Sequence, residues 1–371
     1  MPEAVVVSFA RTPVADAYKG SLARTPIVEL GKIAIAEALK RSGVSPDDVD
    51  DVVMGEVLQG GGDLARYVAL DLGLPLDTPG VAMNRQCGSG LQAVNAAAAS
   101  IKAGMDKVVI AGGLESMTHT VSGFIPDSHP ETPDAPTRNM GVTVGENTAD
   151  RCNITREEMD EWAYHSHMRA IAAIDAGRFV DEIVPVEIEG GIFDTDEHPR
   201  RTTSLEKLAA LPAIFKEGGR VTAGNSSSLN DGAAALVIVD GDYAKAHGLE
   251  PLATIRSWAC AGVAPRDTGI APTIAIPRAL ERAGLTTADV KLAEINEAFA
   301  SMAVACTRVL GFSPENVNVD GGAVGIGHPV AASGARILGH LVMELRRRGG
   351  GHGVASLCAG GGMGIATVIE V

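Results

Sequence analysis

A chain of 371 residues is long enough for two or more domains, and its 46% hydrophobic but only 4% aromatic composition predicts a core of Ala, Val, Leu and Ile. The net charge of −15 argues against a general nucleic-acid or anionic-membrane surface, and no 18-residue apolar run suggests a membrane span. The five cysteines lack zinc-ligand spacing and the chain opens on a strand-like segment rather than a signal peptide. We therefore expect a cytoplasmic protein with no metal, no nucleic-acid partner and no membrane partner.

Residues 1–116 predict alternating strands and helices. The predicted elements are strand AVVVSFA at 4–10, helix IAIAEALKRSG at 33–43, strand VVMGEV at 52–57, a helix within NRQCGSGLQAVNAAAASI at 84–101, and strand VVIAGG at 108–113. The strand that closes this unit is predicted at about 232–240, GAAALVIVD, more than a hundred residues later. We therefore predict an inserted segment between strand 108–113 and this closing strand.

The insert, 117–231, predicts a loop domain. It contains the proline-rich FIPDSHPETPDAP at 124–136, one helical stretch at 155–177, and irregular polar sequence. His165 and His167 within that helix suggest a metal site at first sight. A spacing of two residues points them to different helix faces, so we expect solvent-exposed polar residues instead.

Residues 250–371 repeat the first unit. The segment 33–57 lies over 274–298, so residue 33 matches residue 274 at an offset of 241, and both copies predict helix, glycine, polar turn and strand. Strand 254–259 opens the second copy and strand 364–371 closes it. We predict an α/β fold of two similar sheet-and-helix halves, with parallel pairing and right-handed crossovers.

Duplication brings equivalent strand ends to one crevice, where open α/β sheets bind ligands. The offset of 241 carries Cys87 onto His328. Cys87 stands at a predicted helix start, where backbone amides favour a thiolate, although a buried cysteine is commonly an inert core residue. His328, in the glycine-rich GGAVGIGHP, is either a base for a nearby thiol or a structural histidine. GAVGIG itself lacks the spacing of a dinucleotide loop.

Two further residues lie at strand ends. Cys358 precedes three glycines, whose free N–H groups are suited to an oxyanion site, and a cysteine there can move protons. Asn296 in EINEAFA can orient a water or a substrate oxygen; its alternative role is helix capping.

These motifs resemble the thiolase family. NRQCGSGLQA, EINEAFA, GGAVGIGHP and LCAGGGMG stand in family order, and SFARTP, GGLESM, TAGNSSSLNDGAA and SWACAG extend the resemblance over the whole chain. The resemblance implies a layered α/β/α/β/α core and an acyltransferase that condenses two acetyl-CoA, or catalyses the thiolytic reverse. It implies coenzyme A thioesters as substrates, no cofactor, and a homodimer or tetramer.

The resemblance also implies roles for individual residues. Cys87 would carry the acyl group, His328 would activate it, Cys358 would be acid and base for the second substrate, and Asn296 would hold a water. The amides of Cys87 and Gly360 would form the second oxyanion site. The pantetheine channel would be lined by Met140, Ser257, Ala298 and Phe299.

The chain departs from the family pattern at three places. The insert is short and rich in proline, which puts tetramerisation in doubt. Pro212 replaces an arginine often found near the adenine, so Arg220 is a substitute candidate, and Ala331 replaces the glycine after HPx. Two alternatives stay open: a degradative 3-ketoacyl-CoA thiolase for longer chains, and a non-catalytic thiolase-like lipid-binding protein. The latter should have lost one of the four site residues, and none is lost.

Overall fold

A computed structural model describes residues 2–121 and 129–371, so residues 124–128 of the predicted proline-rich stretch lie outside the described residues. Its first half is built from four longer strands, one short strand and three helices before the insert. In chain order these are β1 (Ala4–Arg11), β2 (Ala15–Asp16), α1 (Ile27–Ser42), β3 (Asp51–Gly55), α2 (Leu64–Asp71), β4 (Gly80–Met83), α3 (Ser89–Lys102) and β5 (Val108–Ser116). The sequence did not predict α2 and β4.

The described part of the insert combines helices and one hairpin with long irregular stretches. It contains a π-helical turn (Gly141–Glu146), α4 (Asn147–Arg151), α5 (Arg156–Asp175), the hairpin β6 (Val186–Ile188) and β7 (Gly191–Phe193), and α6 (Leu205–Ala209). The predicted helix at 155–177 is α5, which begins with a capping box between Thr155 and Glu158. The predicted domain limits 117 and 231 stay a prediction.

The second half starts after the closing strand of the first. Its elements follow β8 (Asn230–Asp240) and α7 (Gly241–Ala246), and are β9 (Ala253–Gly262), α8 (Pro272–Arg282), β10 (Val290–Ile295), α9 (Ala300–Leu310), α10 (Ala323–Ile326), α11 (Ser333–Arg347), β11 (His352–Ala359) and β12 (Met363–Glu370). The repeat is visible in detail, because 3-10 turns at Pro46–Asp48 and Thr287–Asp289 keep the offset of 241.

The strands form two similar sheets joined at one corner. The order is β10-β11-β12-β9-β1-β8-β5-β3-β4, with β2 beside β8, and the sheets meet where Val5 and Val6 pair with Thr254 and Ala253. Pairing is parallel at β3–β4, β3–β5 and β10–β11, but antiparallel at β5–β8, β1–β8, β11–β12 and β9–β12. The expectation of parallel pairing is therefore wrong for the opening and closing strands, which are not joined by helical crossovers of the kind that parallel neighbours need.

Five layers result, as predicted. Helices α3 and α11 pack on each other between the sheets, α1 and α2 cover the outer face of the first sheet, and α8 and α9 cover that of the second. The starts of α3 and α11 thus meet in the middle of the molecule, and these are the starts that follow Cys87 and His328. None of the described helices is long and apolar enough to cross a membrane.

Candidate active site

Cys87 is held in a tight turn between β4 and α3. Gln86 before it has φ of 50°, a left-handed conformation that costs a non-glycine residue energy and recurs at functional sites. Ser89 stabilises the turn, because its Oγ accepts a hydrogen bond from Arg85 N (2.9 Å) and donates one to Gln86 O (2.6 Å). A Cβ at Gly90 would lie 2.5 Å from Ala331 O, so only glycine lets the two halves approach here.

His328 is buried and is held through its backbone N–H and one ring nitrogen. Its N–H donates to Asn230 Oδ1 (2.7 Å), and its Nδ1 lies 2.6 Å from Ser333 Oγ. Ser333 Oγ donates its hydrogen to Pro329 O (2.9 Å), so it accepts from His328 Nδ1–H. This network assigns the tautomer and leaves Nε2 as an acceptor. Burial, helped by the Arg336 charge, lowers the pKa of His328 to about 3, so the ring is neutral at physiological pH.

Asn296 follows β10 and faces the free nitrogen of His328. Its Nδ2 lies 3.4 Å from His328 Nε2, and its backbone N–H donates to Ser356 O (2.9 Å). The side chain is 1% exposed, yet its Oδ1 has no hydrogen-bond partner among the described residues. A buried carboxamide oxygen without a partner is costly, and a bound water would donate the missing hydrogen bond to it.

Cys358 is the last residue but one of β11 and is buried. Its Sγ lies 3.3 Å from Met302 Sδ. Burial, together with the charges of Cys87 and Cys306, raises the pKa of Cys358 well above its usual range. The chain then turns through Gly361 and Gly362, whose φ values of 87° and 82° favour glycine.

The thiol of Cys87 lies beside the amide of Gly360. Burial raises the pKa of Cys87 to about 11 and the charge of Glu115 adds to this, while the backbone N–H groups of Cys87 and Gly360 oppose it. The sequence predicted a thiolate at this helix start. In the folded protein desolvation outweighs the backbone amides, so the resting group is a neutral thiol.

One cavity of about 310 Å³ collects most of the predicted site residues. Those that line it are Cys87, Met140, Ala298, Phe299, His328, Cys358 and Gly360. Asn296 contacts His328 but does not line the cavity. The structure thus brings the two thiols, the imidazole and the glycine amide to one space, from three separate segments of the chain.

Ser257 is the exception among the predicted site residues. It lies in β9, is buried, and its Oγ donates to Ala279 O (2.5 Å) in α8. It does not line the cavity, because it lies on the outer face of the second sheet, on which α8 packs. Its place in the pantetheine channel stays a prediction.

Residues that the sequence reasoning did not assign complete the wall. They include Met117, Phe215, Ser226, Ser227, Ser228, Leu229 and Val330. The three serines belong to TAGNSSSLNDGAA, and so does Asn230, which orients His328. That motif was visible as a run of small polar residues before a buried strand, and it could have been assigned to the site.

A second cavity, of about 210 Å³, adjoins the same segment and carries cationic groups. It is lined by residues that include His167, His198, Arg200, Thr202, Thr203, Lys207, Ala223 and Gly224. His167 is buried and accepts a hydrogen bond from Arg200 N (3.2 Å), so the expectation that both helix histidines are solvent-exposed holds only for His165.

Arg220 does not line either cavity. Its guanidinium contacts Asp150 and donates to the carbonyls of Ala149 (3.2 Å) and Ile154 (2.7 Å). It closes the fold around α4, and the expectation that it replaces the missing arginine is not supported by this geometry.

The chain was compared with known proteins. Residues 4–242 match the model of the thiolase N-terminal domain, and residues 249–371 match that of the thiolase C-terminal domain. It is 45% identical to an acetyl-CoA acetyltransferase of Cupriavidus necator and 42% identical to a 3-ketoacyl-CoA thiolase of Bacillus subtilis, in each case over 100% of both chains.

Solved structures agree. The crystal structure of the Bacillus anthracis acetyl-CoA acetyltransferase superposes with a TM-score of 0.93 at 41% identity, covering 100% of this chain and 99% of the other. Human mitochondrial 3-ketoacyl-CoA thiolase superposes with a TM-score of 0.92 at 41% identity, covering 100% and 98%. Both domain models, full-length relatives and the five-layer fold agree, and the chain belongs to the thiolase family.

Proposed function

We propose that this protein is a thiolase-type acyltransferase that condenses two acetyl-CoA to acetoacetyl-CoA and CoA, or catalyses the thiolytic reverse, through an acyl-Cys87 intermediate. The observation that carries the proposal is the convergence of Cys87, His328, Cys358 and the Gly360 amide on one cavity. Coenzyme A thioesters are the substrates, and the reaction needs no further cofactor because each step is a proton or acyl transfer.

The first half-reaction transfers the acyl group to Cys87. His328 Nε2 takes the thiol proton as the sulfur attacks the thioester carbon, and the CoA sulfur leaves as the carbonyl re-forms. Because the pKa of Cys87 is high and that of His328 is low in the resting site, proton transfer must accompany attack rather than precede it. Cys358 gives its proton to the leaving CoA thiolate, so Cys358 becomes a thiolate while His328 keeps the Cys87 proton. A water on Asn296 and His328 supports the oxyanion of this step.

The second half-reaction forms the carbon–carbon bond. The Cys358 thiolate removes a proton from the α-carbon of the second acetyl-CoA, and the enolate attacks the acyl carbon on Cys87. Acetoacetyl-CoA forms as the Cys87 sulfur leaves, and that sulfur takes its proton back from His328. The amides of Cys87 and Gly360 stabilise the oxyanion, and the three glycines after Ala359 leave room for the substrate.

Coenzyme A would extend from the thiols toward the cationic cavity. Met140, Ala298 and Phe299 offer apolar walls for the pantetheine arm. The segment Ala223–Leu229 contributes to both cavities, and Arg200 and Lys207 would receive the phosphates at the far end. Arg200 and Lys207 thus take the place of Arg220 as the candidates for the phosphate contacts.

Acetyl-CoA is the proposed substrate, and longer 3-ketoacyl-CoA is the alternative. Relatives of both names match this chain at nearly equal identity. Kinetics with acetoacetyl-CoA and with a 3-ketoacyl-CoA of ten carbons test the choice. A higher kcat/KM for the longer substrate would favour the degradative alternative, and activity on neither would favour the lipid-binding one.

The proposed unit is a homodimer in the cytoplasm, with a tetramer as the larger form. Strand β4 is one of the two outermost strands of the described sheet, and apolar side chains near it are exposed: Tyr67 by 58%, Leu76 by 84% and Val81 by 38%. An exposed apolar edge is normally covered, and a twofold partner would cover it beside the Cys87 turn. All five cysteines are free thiols, which suits a reducing compartment.

A further inference from the structure

Glu115, near the end of β5, is a buried carboxylate that the reaction steps above do not use. Its side chain is fully buried, and its Oε1 accepts hydrogen bonds from Leu58 N (3.1 Å) and Gln59 Nε2 (3.0 Å). Its Oε2 accepts one from Ala331 N (3.1 Å). The contacts of Glu115 are thus made with three neutral donors.

The Ala331 contact connects Glu115 to the catalytic histidine. Ala331 lies three residues after His328, in the turn that ends at Ser333. A Cβ at Gly90 would lie 2.5 Å from Ala331 O, and a Cβ at Gly113 would lie 2.0 Å from it. The carbonyl of Ala331 is therefore packed between β5 and Gly90 at the start of α3, and Gly90 lies three residues after Cys87. The backbone N–H of Ala331 donates to Glu115. Movement at this residue would change the spacing of Cys87 and His328.

Only an acceptor satisfies this arrangement. An ionised carboxylate accepts at both oxygens, whereas the amide of glutamine would present its NH₂ group to one of the donors. Burial and the neighbouring Glu56 raise the pKa of Glu115, and the three donors lower it. The resulting pKa is about 7. Retaining an ionisable group in such surroundings is costly unless its contacts serve the site.

We propose that Glu115 is a positioning residue for acyl transfer, which holds the Ala331 amide and thereby keeps His328 within reach of Cys87. The inference rests on the proposed function, specifically on His328 as the base for Cys87. Misplacing a reacting group by about 1 Å can cost roughly 10²-fold in rate, so a lost anchor three residues away has a measurable effect.

A double-mutant cycle tests the proposal. The rate of Cys87 alkylation by iodoacetamide is measured at pH 8 by peptide mapping in the parent protein, Glu115→Gln, His328→Ala and the double variant. We expect Glu115→Gln to slow alkylation by 10-fold or more with His328 present, up to about 10²-fold. With His328 already absent, we expect it to have little effect. The charge of Glu115 acts on Cys87 in both backgrounds alike, so this direct effect cancels from the cycle.

Glu56→Gln is the matched control. Glu56 is also buried, but its oxygens accept from Gly61, Gly62 and Leu64 amides near the start of α2 and not from Ala331. It should leave the alkylation rate within about twofold. An equal loss in Glu56→Gln, or additive effects of Glu115→Gln and His328→Ala, would overturn the role of Glu115.

Two further outcomes are distinguishable. If His328→Ala by itself leaves alkylation unchanged, the base assignment in the proposed function fails, and the inference with it. If Glu115→Gln does not fold, Glu115→Asp replaces it in the cycle, because the shorter side chain keeps the charge but withdraws from Ala331. If Glu115→Asp slows alkylation only when His328 is present, the proposal is supported, whereas additive effects of Glu115→Asp and His328→Ala contradict it.

Discussion

His328 Nδ1 lies 2.6 Å from Ser333 Oγ, and the serine hydrogen is already directed to Pro329 O. The serine oxygen therefore accepts from the ring. The ring proton is on Nδ1, and Nε2 carries none. Ser333→Ala removes this acceptor and leaves Nδ1–H unpaired. We expect kcat to fall about 10- to 100-fold, the range seen when partners of metal-bound histidines are removed. KM should change little, because Ser333 does not line the cavity.

Steady-state kinetics with acetyl-CoA check this prediction. Ser333→Thr keeps a hydroxyl and is the matched control, for which most of the activity should return. Full activity in Ser333→Ala would show that the tautomer is held by something other than this contact.

The two active-site cysteines should fail at different steps. Cys87→Ala removes the group that carries the acyl chain, so no acetyl-enzyme should form. Cys358→Ala should still become acetylated at Cys87, but its turnover should fall by roughly 10²- to 10⁴-fold, the usual contribution of an acid/base group. Rapid quench with acetyl-CoA followed by intact-mass measurement reads acylation without turnover. An acetyl adduct on Cys87→Ala, or its absence in folded Cys358→Ala, would reverse the two roles.

The reactivity of Cys87 should depend steeply on pH. Burial raises its pKa to about 11, so the thiolate fraction is small at neutral pH and rises about tenfold with each pH unit. In His328→Ala, where only the thiolate can react, alkylation by iodoacetamide should therefore keep rising from pH 7 to 9 rather than level off near the ordinary thiol pKa. In the parent protein peptide mapping should find the label first at Cys87, because His328 takes its proton during attack, and acetyl-CoA should protect it. Preferential labelling of Cys152, Cys260 or Cys306 would contradict the assignment.

A buried ion-pair cluster ties the insert to β1. The Arg11 guanidinium contacts Glu182 (2.8 Å) and both oxygens of Asp196 (2.8 and 2.9 Å), and all three side chains are about 1% exposed or less. Arg11→Met removes the ion-pair partner of buried Asp196 and leaves Glu182 paired only with His340 (3.1 Å), so it should reduce the free energy of unfolding by about 3–5 kcal/mol. Urea unfolding measures this.

The control is Arg24→Met. Arg24 pairs with Glu189 at the surface, where both side chains are about four-fifths exposed, and its loss should change the unfolding free energy by about 1 kcal/mol or less. Equal effects of the two substitutions would show that the Arg11 cluster contributes no more than a surface pair.

The open edge of β4 predicts the oligomeric state. Light scattering at micromolar concentration should give a mass of twice 38.2 kDa, and Val81→Lys on β4 should shift it toward the single chain because a charge opposes edge pairing. Val309→Lys places the same charge on exposed α9 and should leave the dimer intact. A parent protein that runs only at 38.2 kDa would contradict the proposal.

Much of this molecule was predictable because its patterns are local. Helical periodicity and glycine stops identified α1, α3, α5 and α8, and the repeat at 241 residues placed Cys87 and His328 at equivalent helix starts. The strand-end positions of Asn296 and Cys358 followed from the same repeat. Each of these inferences needs only the order of neighbouring residues. For β4 the repeat offers no guide, because the matching stretch of the second half contains no strand.

What remained was decided by long-range packing. Ser257 and Ser227 both look like small polar residues beside apolar strands, but only the tertiary structure puts one under α8 and the other on the cavity wall. The helix start at Cys87 favours a thiolate locally, yet burial by residues distant in sequence keeps it a thiol. Arg220 carries the charge expected of a phosphate ligand, but Asp150 and two carbonyls already occupy it. Desolvation and the choice of partner depend on which distant segments meet, and only the folded chain determines that.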